Sequence, residues 1–224
     1  MTQLEYARNG IITEKMQTAA EAEGVSAEFI RDGIAAGNIV ICHNNKHTNG
    51  NPLAVGTGLR TKVNANIGSS ADDTNIDKEL EKARVAVKYG ADAIMDLSTG
   101  GPVDEIRRAI VAETSACIGS VPLYQAAVDT VRVKKKAIVD MTVDDIFDGI
   151  IKHAEDGVDF ITVHCGVIRS TVERMKNEGR LMDVVSRGGA FTVEWMSYNR
   201  QENPLYEHFD RLLEITRTYD MTLS

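Results

Sequence analysis

The chain has 224 residues, 43% of them hydrophobic and 26% charged, with a formal net charge of −8. That length buries a sizeable core, and that composition belongs to a folded globular protein rather than a disordered one. The acidic balance leaves no basic surface for a phosphate backbone and argues against nucleic acid as a partner. The one basic cluster, Lys134-Lys135-Lys136, reads as a solvated turn. No apolar stretch reaches the ~18–20 residues of a membrane span, and the N-terminus lacks signal-peptide organisation, so a cytoplasmic protein is expected.

In chain order, residues 1–58 form an N-terminal region. Two helices are expected, over "TEKMQTAAEAEG" and "SAEFIRDGIAAG", opened by the caps Thr13 and Ser26 and closed by glycine. Residues 37–58, rich in Asn, Gly, Thr and Pro, read as an extended or looped connection. From 59 to 224 short apolar runs alternate with amphipathic helices. The runs are "TKVNANIGSS", "ADAIMDLSTGG", "ACIGSVPLYQA", "VDFITVHCGV" and "MDVVSRGG", with "DMTLS" opening a sixth. Between them one helix carries Leu80, Ala83 and Val87 and stops at Gly90. Another follows the cap Thr142, with Ile146, Phe147, Ile150, Ile151 and Ala154 on one face. A third opens with Ser170 and Glu173 as a capping box. The last opens at Asn203-Pro204 and turns Leu205, Phe209, Leu212 and Leu213 inward.

Alternating strands and helices imply a parallel sheet and the α/β class. The spacing suits part of a (β/α)8 TIM-type barrel, about five to six units, behind a helical N-terminal extension. An open doubly wound sheet is the rival, but the first βα turn lacks a G-x-G-x-x-G fingerprint.

The candidate strand tips are Asn66, Asp96, Tyr124, His164 and Ser186, and in a barrel all five face one end, where sites are built. His164 ends "DFITVHCG" and is either a core histidine or a group that binds substrate. "VVSRGG" offers the Ser186 hydroxyl, the Arg187 guanidinium and the N–H groups of Gly188 and Gly189 before a helix. It reads as an anion subsite, or as a plain tight turn. Asn64 and Asn66 share one strand face, with Asn66 nearer the tip. Asp96 is a base, a hydroxyl acceptor or a structural cap. Met95 and Tyr124 are apolar walls for a ring, or core residues. His43 and His47 suit a metal only in a helix, which the Asn-rich "CHNNKH" disfavours. His153 and His208 are expected at the surface and Trp195 in the core. Cys42, Cys117 and Cys165 form no C-x-x-C pair, so neither a disulfide framework nor a cluster site is read from them.

The succession "LRTKVNANIGSS", "GADAIMDLSTGG", "EIRRAI", "VPLYQA", "GVDFITVHCGV", "DVVSRGG" and "NPLYEHFDRLLEI" resembles the ThiC family across essentially the whole chain. The resemblance implies a non-standard radical S-adenosylmethionine (SAM) enzyme, a carbon-carbon lyase of the radical SAM class. It also implies a TIM barrel, a C-terminal [4Fe–4S] motif, a second metal such as zinc, a homodimer and 5-aminoimidazole ribotide as the small-molecule substrate. The family's substrate contacts fall on Asn66, Met95, Tyr124, His164, Ser186, Arg187 and Gly188; no catalytic residue is assigned. The family's next motif, a D-G-x-R-P-G turn with metal-binding histidines, should follow Ser224. This chain is therefore expected to be a truncated N-terminal part that binds no cluster and is inactive on its own. "ICHNNKH" resembles the 5-hydroxybenzimidazole branch of the family, which serves cobalamin (cobamide lower-ligand) biosynthesis. Thiamine-pathway phosphomethylpyrimidine synthesis is the alternative. Two further readings stay open: a lyase or aldolase holding a sugar phosphate at "SRGG" with Asp96 or His164 as acid–base, for which Lys62 is the one lysine near a strand tip and Schiff-base chemistry is disfavoured, and a partial barrel that binds ligand or self-associates without turnover.

Overall fold

The computed structural model describes residues 1–179 and 181–224. Three helices come first: α1 (Gln3–Arg8), α2 (Glu14–Glu23) and α3 (Ala27–Ala35). Thr2, Thr13 and Ser26 cap them, each side-chain oxygen accepting a backbone N–H from the first turn. Two of these caps were legible in the sequence. α1 was not foreseen. Residues 37–58 take the extended of the two expected forms, as an antiparallel hairpin of β1 (Ile39–Cys42) with β2 (Leu53–Gly56). Ile39, Ile41 and Ala54 join Ile30 and Ile34 in a separate small core.

The rest alternates as expected: β3 (Asn64–Ile67), α4 (Ile76–Lys88), β4 (Ala93–Asp96), α5 (Val103–Glu113), β5 (Cys117–Ser120) and α6 (Pro122–Arg132). A 3-10 turn at Ile138–Asp140 leads to α7 (Val143–Glu155), β6 (Phe160–Ile161), α8 (Arg169–Asn177) and α9 (Arg187–Asn199). α10 (Pro204–Glu207), α11 (Phe209–Tyr219) and β7 (Thr222–Leu223) complete the order. β3 to β7 form one parallel sheet in the order β3-β4-β5-β6-β7. The order never reverses, as it would at the switch point of a doubly wound sheet. The α/β class stands on this sheet. No helix among the described residues is long and apolar enough to cross a membrane.

Register divides the side chains into two faces. Ala65, Ile94 and Ile118 share one, as do Ile67, Asp96, Ser120 and Ile161. Helices cover this face: Ile94, Ile118 and Ile161 have no exposed surface and pack with Ile106, Ile110, Phe147 and Ile150. Each such side chain contributes about 1.5–3 kcal/mol through burial. The opposite face carries Asn64, Ala93 and Cys117 in one row and Asn66, Met95, Gly119, Phe160 and Thr222 in the next.

Three expectations fail here. "MDVVSRGG" makes no strand, because β6 pairs directly with β7, Phe160 with Thr222 and Ile161 with Leu223. Leu181 and Val185 are left exposed instead. Tyr124 is not at a strand tip: β5 ends at Ser120, and Pro122, with no N–H for a ladder, starts α6. The final helix breaks at His208, and Phe209 and Leu213 lie exposed. Smaller differences concern α8, where Thr171 Oγ1 rather than Ser170 takes the Ile168 N–H at 3.0 Å, and Val87, which is exposed. Trp195 is buried as expected.

His153 is the largest error among the histidines. It is buried, with Nδ1 2.6 Å from Ser120 Oγ and Nε2 2.9 Å from Arg107 Nη1. Burial, then the Arg107 charge, hold its pKa well below the ordinary value. A neutral ring that accepts from Arg107 at Nε2 must carry its proton on Nδ1 and donate to Ser120. Arg107, also buried, donates to Gln125 Oε1, to Asp104 at 2.6 Å and to Asp156 at 2.5 Å.

Asp159, one residue before β6, ties the N-terminal region to the sheet. Its Oδ1 accepts the Asn44 N–H at 2.8 Å; its Oδ2 accepts the Ile118 N–H at 2.7 Å and faces His47 Nδ1 at 2.8 Å. Burial alone would lower the His47 pKa, but the hydrogen bond and charge of Asp159 outweigh it and hold it above the ordinary value. The stabilisation from this pair is therefore complete below about pH 6.5 and is lost as pH rises through the folded value. His43, His153 and His164, all lowered with burial as the leading cause, act in the opposite sense, losing stability as pH falls. Between pH 6 and 8 the denaturation midpoint of wild type relative to that of His47→Gln should fall as pH rises. Parallel curves would mean that His47 carries no charge there. Asp159→Ala should cost about 3–5 kcal/mol, since it strands a buried partner.

Candidate functional site

The C-terminal ends of five adjacent parallel strands open on one edge of the sheet. Asn66, Met95 and Asp96 lie on the strands at that edge, His164 follows β6, and Tyr124, Ser186, Arg187 and Gly188 belong to α6 and the start of α9. Asn66 and Met95 are register partners on the face away from the helices, one residue short of the ends of β3 and β4. Asn66 is exposed, and its Oδ1 accepts from Asn64 Nδ2 at 3.2 Å. Met95 is buried beside Gly119. A β-carbon at Gly119 would sit 2.1 Å from Phe160 Cζ. The Phe160 ring therefore lies across the β5 backbone and continues the apolar floor from Met95.

The second group gathers around the start of α9. Ser186 caps this helix through Oγ, which accepts the Gly189 N–H at 3.0 Å. A β-carbon at Gly188 would fall 2.3 Å from His164 Cε1 and 2.7 Å from Nδ1. The imidazole is thus seated directly on the first turn of α9, and only a glycine leaves room for it. His164 Nδ1 is buried and has no hydrogen-bond partner among the described residues, and burial lowers its pKa. Such orphaned polar atoms are costly and uncommon unless another group completes them. The His164 backbone is held by Asn203, whose Nδ2 donates to the His164 carbonyl at 2.8 Å and to that of Val167 at 3.0 Å.

Arg187 stacks its guanidinium over the Tyr124 ring, 5.2 Å from the centroid, and Phe191 meets the same ring edge-on. Arg187 forms no ion pair among the described residues. With Thr99, Arg132, Ile138 and Phe191, these two residues line a cleft of about 300 Å³. The structure thus joins Tyr124 with Arg187, and His164 with Gly188 and Ser186, while Asn66 and Met95 form a neighbouring pair on the sheet.

Other candidates are accounted for structurally. Asp96 lies on the helix-covered face, and its Oδ1 accepts from Ser98 Oγ at 2.5 Å and Ser98 N at 3.0 Å. It is a turn cap. Burial raises its pKa against those two hydrogen bonds. Lys62 sits before β3, at the opposite end from the tips, and pairs with Glu23 at 2.8 Å. His43 and His47 lie outside any helix; Nε2 of His43 is 2.9 Å from the Gly50 carbonyl while its Nδ1 is buried without a partner among the described residues, and both ring nitrogens of His47 are engaged, Nδ1 by Asp159 and Nε2 by the Thr114 carbonyl. That removes the metal reading of "CHNNKH".

A thiolate-bound iron–sulfur cluster does not fit the residues present. Cys42 and Cys117 are buried together, Cys117 Sγ lying 3.8 Å from the Cys42 carbonyl, while Cys165 lies beyond β6. Among the described residues no three His, Cys, Asp or Glu side chains converge as a metal site.

Sequence reasoning took Asn203 for a helix cap only and missed its hold on His164. It also missed Phe160 as part of the floor. A glycine in the middle of a buried strand, Gly119, was the available signal for a ring crossing over it.

Residues 2–224 match the model of the radical SAM ThiC family. Over 223 residues the chain is 86% identical to a phosphomethylpyrimidine synthase of Geobacter metallireducens, covering all of this chain and 51% of that protein. Identity is 72% to phosphomethylpyrimidine synthase 2 of Syntrophotalea carbinolica and 56% to a phosphomethylpyrimidine synthase of Syntrophus aciditrophicus, over all of this chain and 52% of each. The chain therefore spans about half the length of the curated relatives it matches. A family model that covers nearly every residue places the chain, by sequence, in the radical SAM ThiC family.

Proposed function

We propose that the five-stranded sheet is one wall of a (β/α)8 barrel and that its open face binds 5-aminoimidazole ribotide for phosphomethylpyrimidine synthesis. The names of the relatives favour this product over the benzimidazole expected from "ICHNNKH". The observation that carries the binding site is the buried, unpartnered His164 Nδ1 beside the first turn of α9.

In this reading Ser186, Arg187 and the N–H groups at the start of α9 hold the phosphate, where a helix N-terminus favours an anion. His164, neutral at pH 7 because burial lowers its pKa, exchanges an uncharged hydrogen bond with a ribose hydroxyl. Asn66 meets the sugar from the sheet, and Met95, Phe160 and Tyr124 wall the imidazole. The family's cluster and SAM would supply the radical; the described residues do not hold them. The aldolase reading is weakened, since Asp96 caps a turn and Lys62 is paired away from the tips, which leaves His164 as its one acid–base candidate.

Two tests follow. The full-length protein, loaded anaerobically with iron and sulfide and given SAM and the ribotide, should release 5′-deoxyadenosine and a phosphomethylpyrimidine. A benzimidazole product, or no SAM cleavage, would overturn the assignment. Gly188→Ala should weaken ribotide binding at least tenfold by calorimetry while leaving the thermal midpoint nearly unchanged, because the added methyl moves only a half-buried ring. Unchanged affinity would separate His164 from the site.

A further inference from the structure

We infer that Asn203 is a positioning residue: its side-chain amide clamps the chain between His164 and Val167 and so fixes the imidazole against α9. The inference rests on the reading of His164 as a substrate contact. Asn203 is 1% exposed, although it lies at the start of a four-residue helix near the surface. Its Oδ1 accepts the Leu205 N–H at 3.0 Å, which completes the capping role. The two Nδ2 hydrogens serve no purpose in capping. Both go to carbonyls of the segment after β6, at 2.8 Å to His164 and 3.0 Å to Val167.

That segment needs an outside anchor. The β6 ladder ends at Ile161; beyond it the Val163 N–H still reaches the Ser224 carbonyl at 3.0 Å, and then ladder support ceases. From His164 to Ile168 the only internal backbone bond is Val167 N–H to the His164 carbonyl, at 3.2 Å. Glu202, next to Asn203, adds a second hold: its carboxylate accepts the Arg169 N–H at 3.0 Å and the Asn203 N–H at 2.8 Å. Two successive residues of the 202–203 turn thus fix both ends of the loop that bears His164. The ring is then confined between this clamped backbone and Gly188, and an amide that both accepts and donates is the one side chain of this size that does both jobs.

The test separates the clamp from the cap. Asn203→Asp keeps the acceptor for Leu205 and loses both donors; Asn203→Ser keeps a short acceptor and at most one donor, and serves if the aspartate variant fails to fold. In protein labelled at histidine, with the His164 resonance assigned by His164→Gln, the clamp predicts that either variant shifts the His164 titration midpoint toward the ordinary value while His153 stays silent. A midpoint unmoved in a folded variant would overturn the proposal. Ribotide affinity supplies a second readout. Asn203→Asp should weaken it at least tenfold in the wild-type background and less than twofold in the His164→Gln background, because the clamp acts through that ring. Equal losses in both backgrounds would also overturn it. If wild type itself bound no ribotide, the proposed function would fall, while the titration would still decide the clamp.

Discussion

The structure depends on a single buried carboxylate. Asp159 takes the N–H groups of Asn44 and Ile118 and faces His47 Nδ1, while its own N–H and carbonyl join β5 and β7 through Ile118 and Thr222. A buried charge is tolerable only when its lone pairs are filled, and here three donors converge on two oxygens. Asn44 reinforces the joint with Nδ2 bonds of 2.8 Å to the Ala154 and Val158 carbonyls. The consequence reaches the site. β6 has only two ladder residues, too few to set its own register, so the knot at Asp159 fixes where His164 emerges five positions later.

Polar groups on the two faces of the sheet have opposite fates. On the helix-covered face Ser120, His153, Gln125, Arg107, Asp104 and Asp156 form a connected network in which each group satisfies another. Asp96 closes onto Ser98 on the same face. These groups stabilise the fold and have little left for chemistry. Because side chains alternate along a strand, the adjacent residues Asp96 and Met95 take opposite faces, the first toward the helices and the second away from them.

The sequence revealed what local physics controls. Caps at Thr13, Ser26, Thr142 and Asn203 were legible because a short polar side chain before an apolar period has few other uses, and β3 and β4 end where their polar residues suggested. What failed depended on distant partners. "MDVVSRGG" has the composition of a strand, yet strand propensity acts only where a neighbour can pair, and β7 already occupies that place. His153, flanked by Lys152 and Glu155, looked like a surface residue; nothing local showed that Arg107, 46 positions away, would meet it. Residues 37–58 read as an extended or looped connection, and their Asn and Gly content hid the alternation that packs Ile39 and Ile41 inward.

The proposed contacts differ from the rest of the molecule in what they leave unspent. Asn203 uses every hydrogen-bonding group on its side chain, Arg107 is saturated, and Asp159 accepts three times. Among the described residues His164 Nδ1 is one of three buried side-chain polar atoms without a partner, with His43 Nδ1 and Asp220 Oδ2, and at the strand ends it lies near a guanidinium resting on Tyr124 rather than on a carboxylate. Asn66 satisfies only its neighbour Asn64. Of the His164, Arg187 and Asn66 groups only His164 Nδ1 is buried, and an unpaired buried polar atom costs about 1–3 kcal/mol, while Asn66 and Arg187 are exposed. Their retention along the C-terminal edge of the sheet, with two neighbours fixing the loop that carries one of them, supports a ligand that completes them.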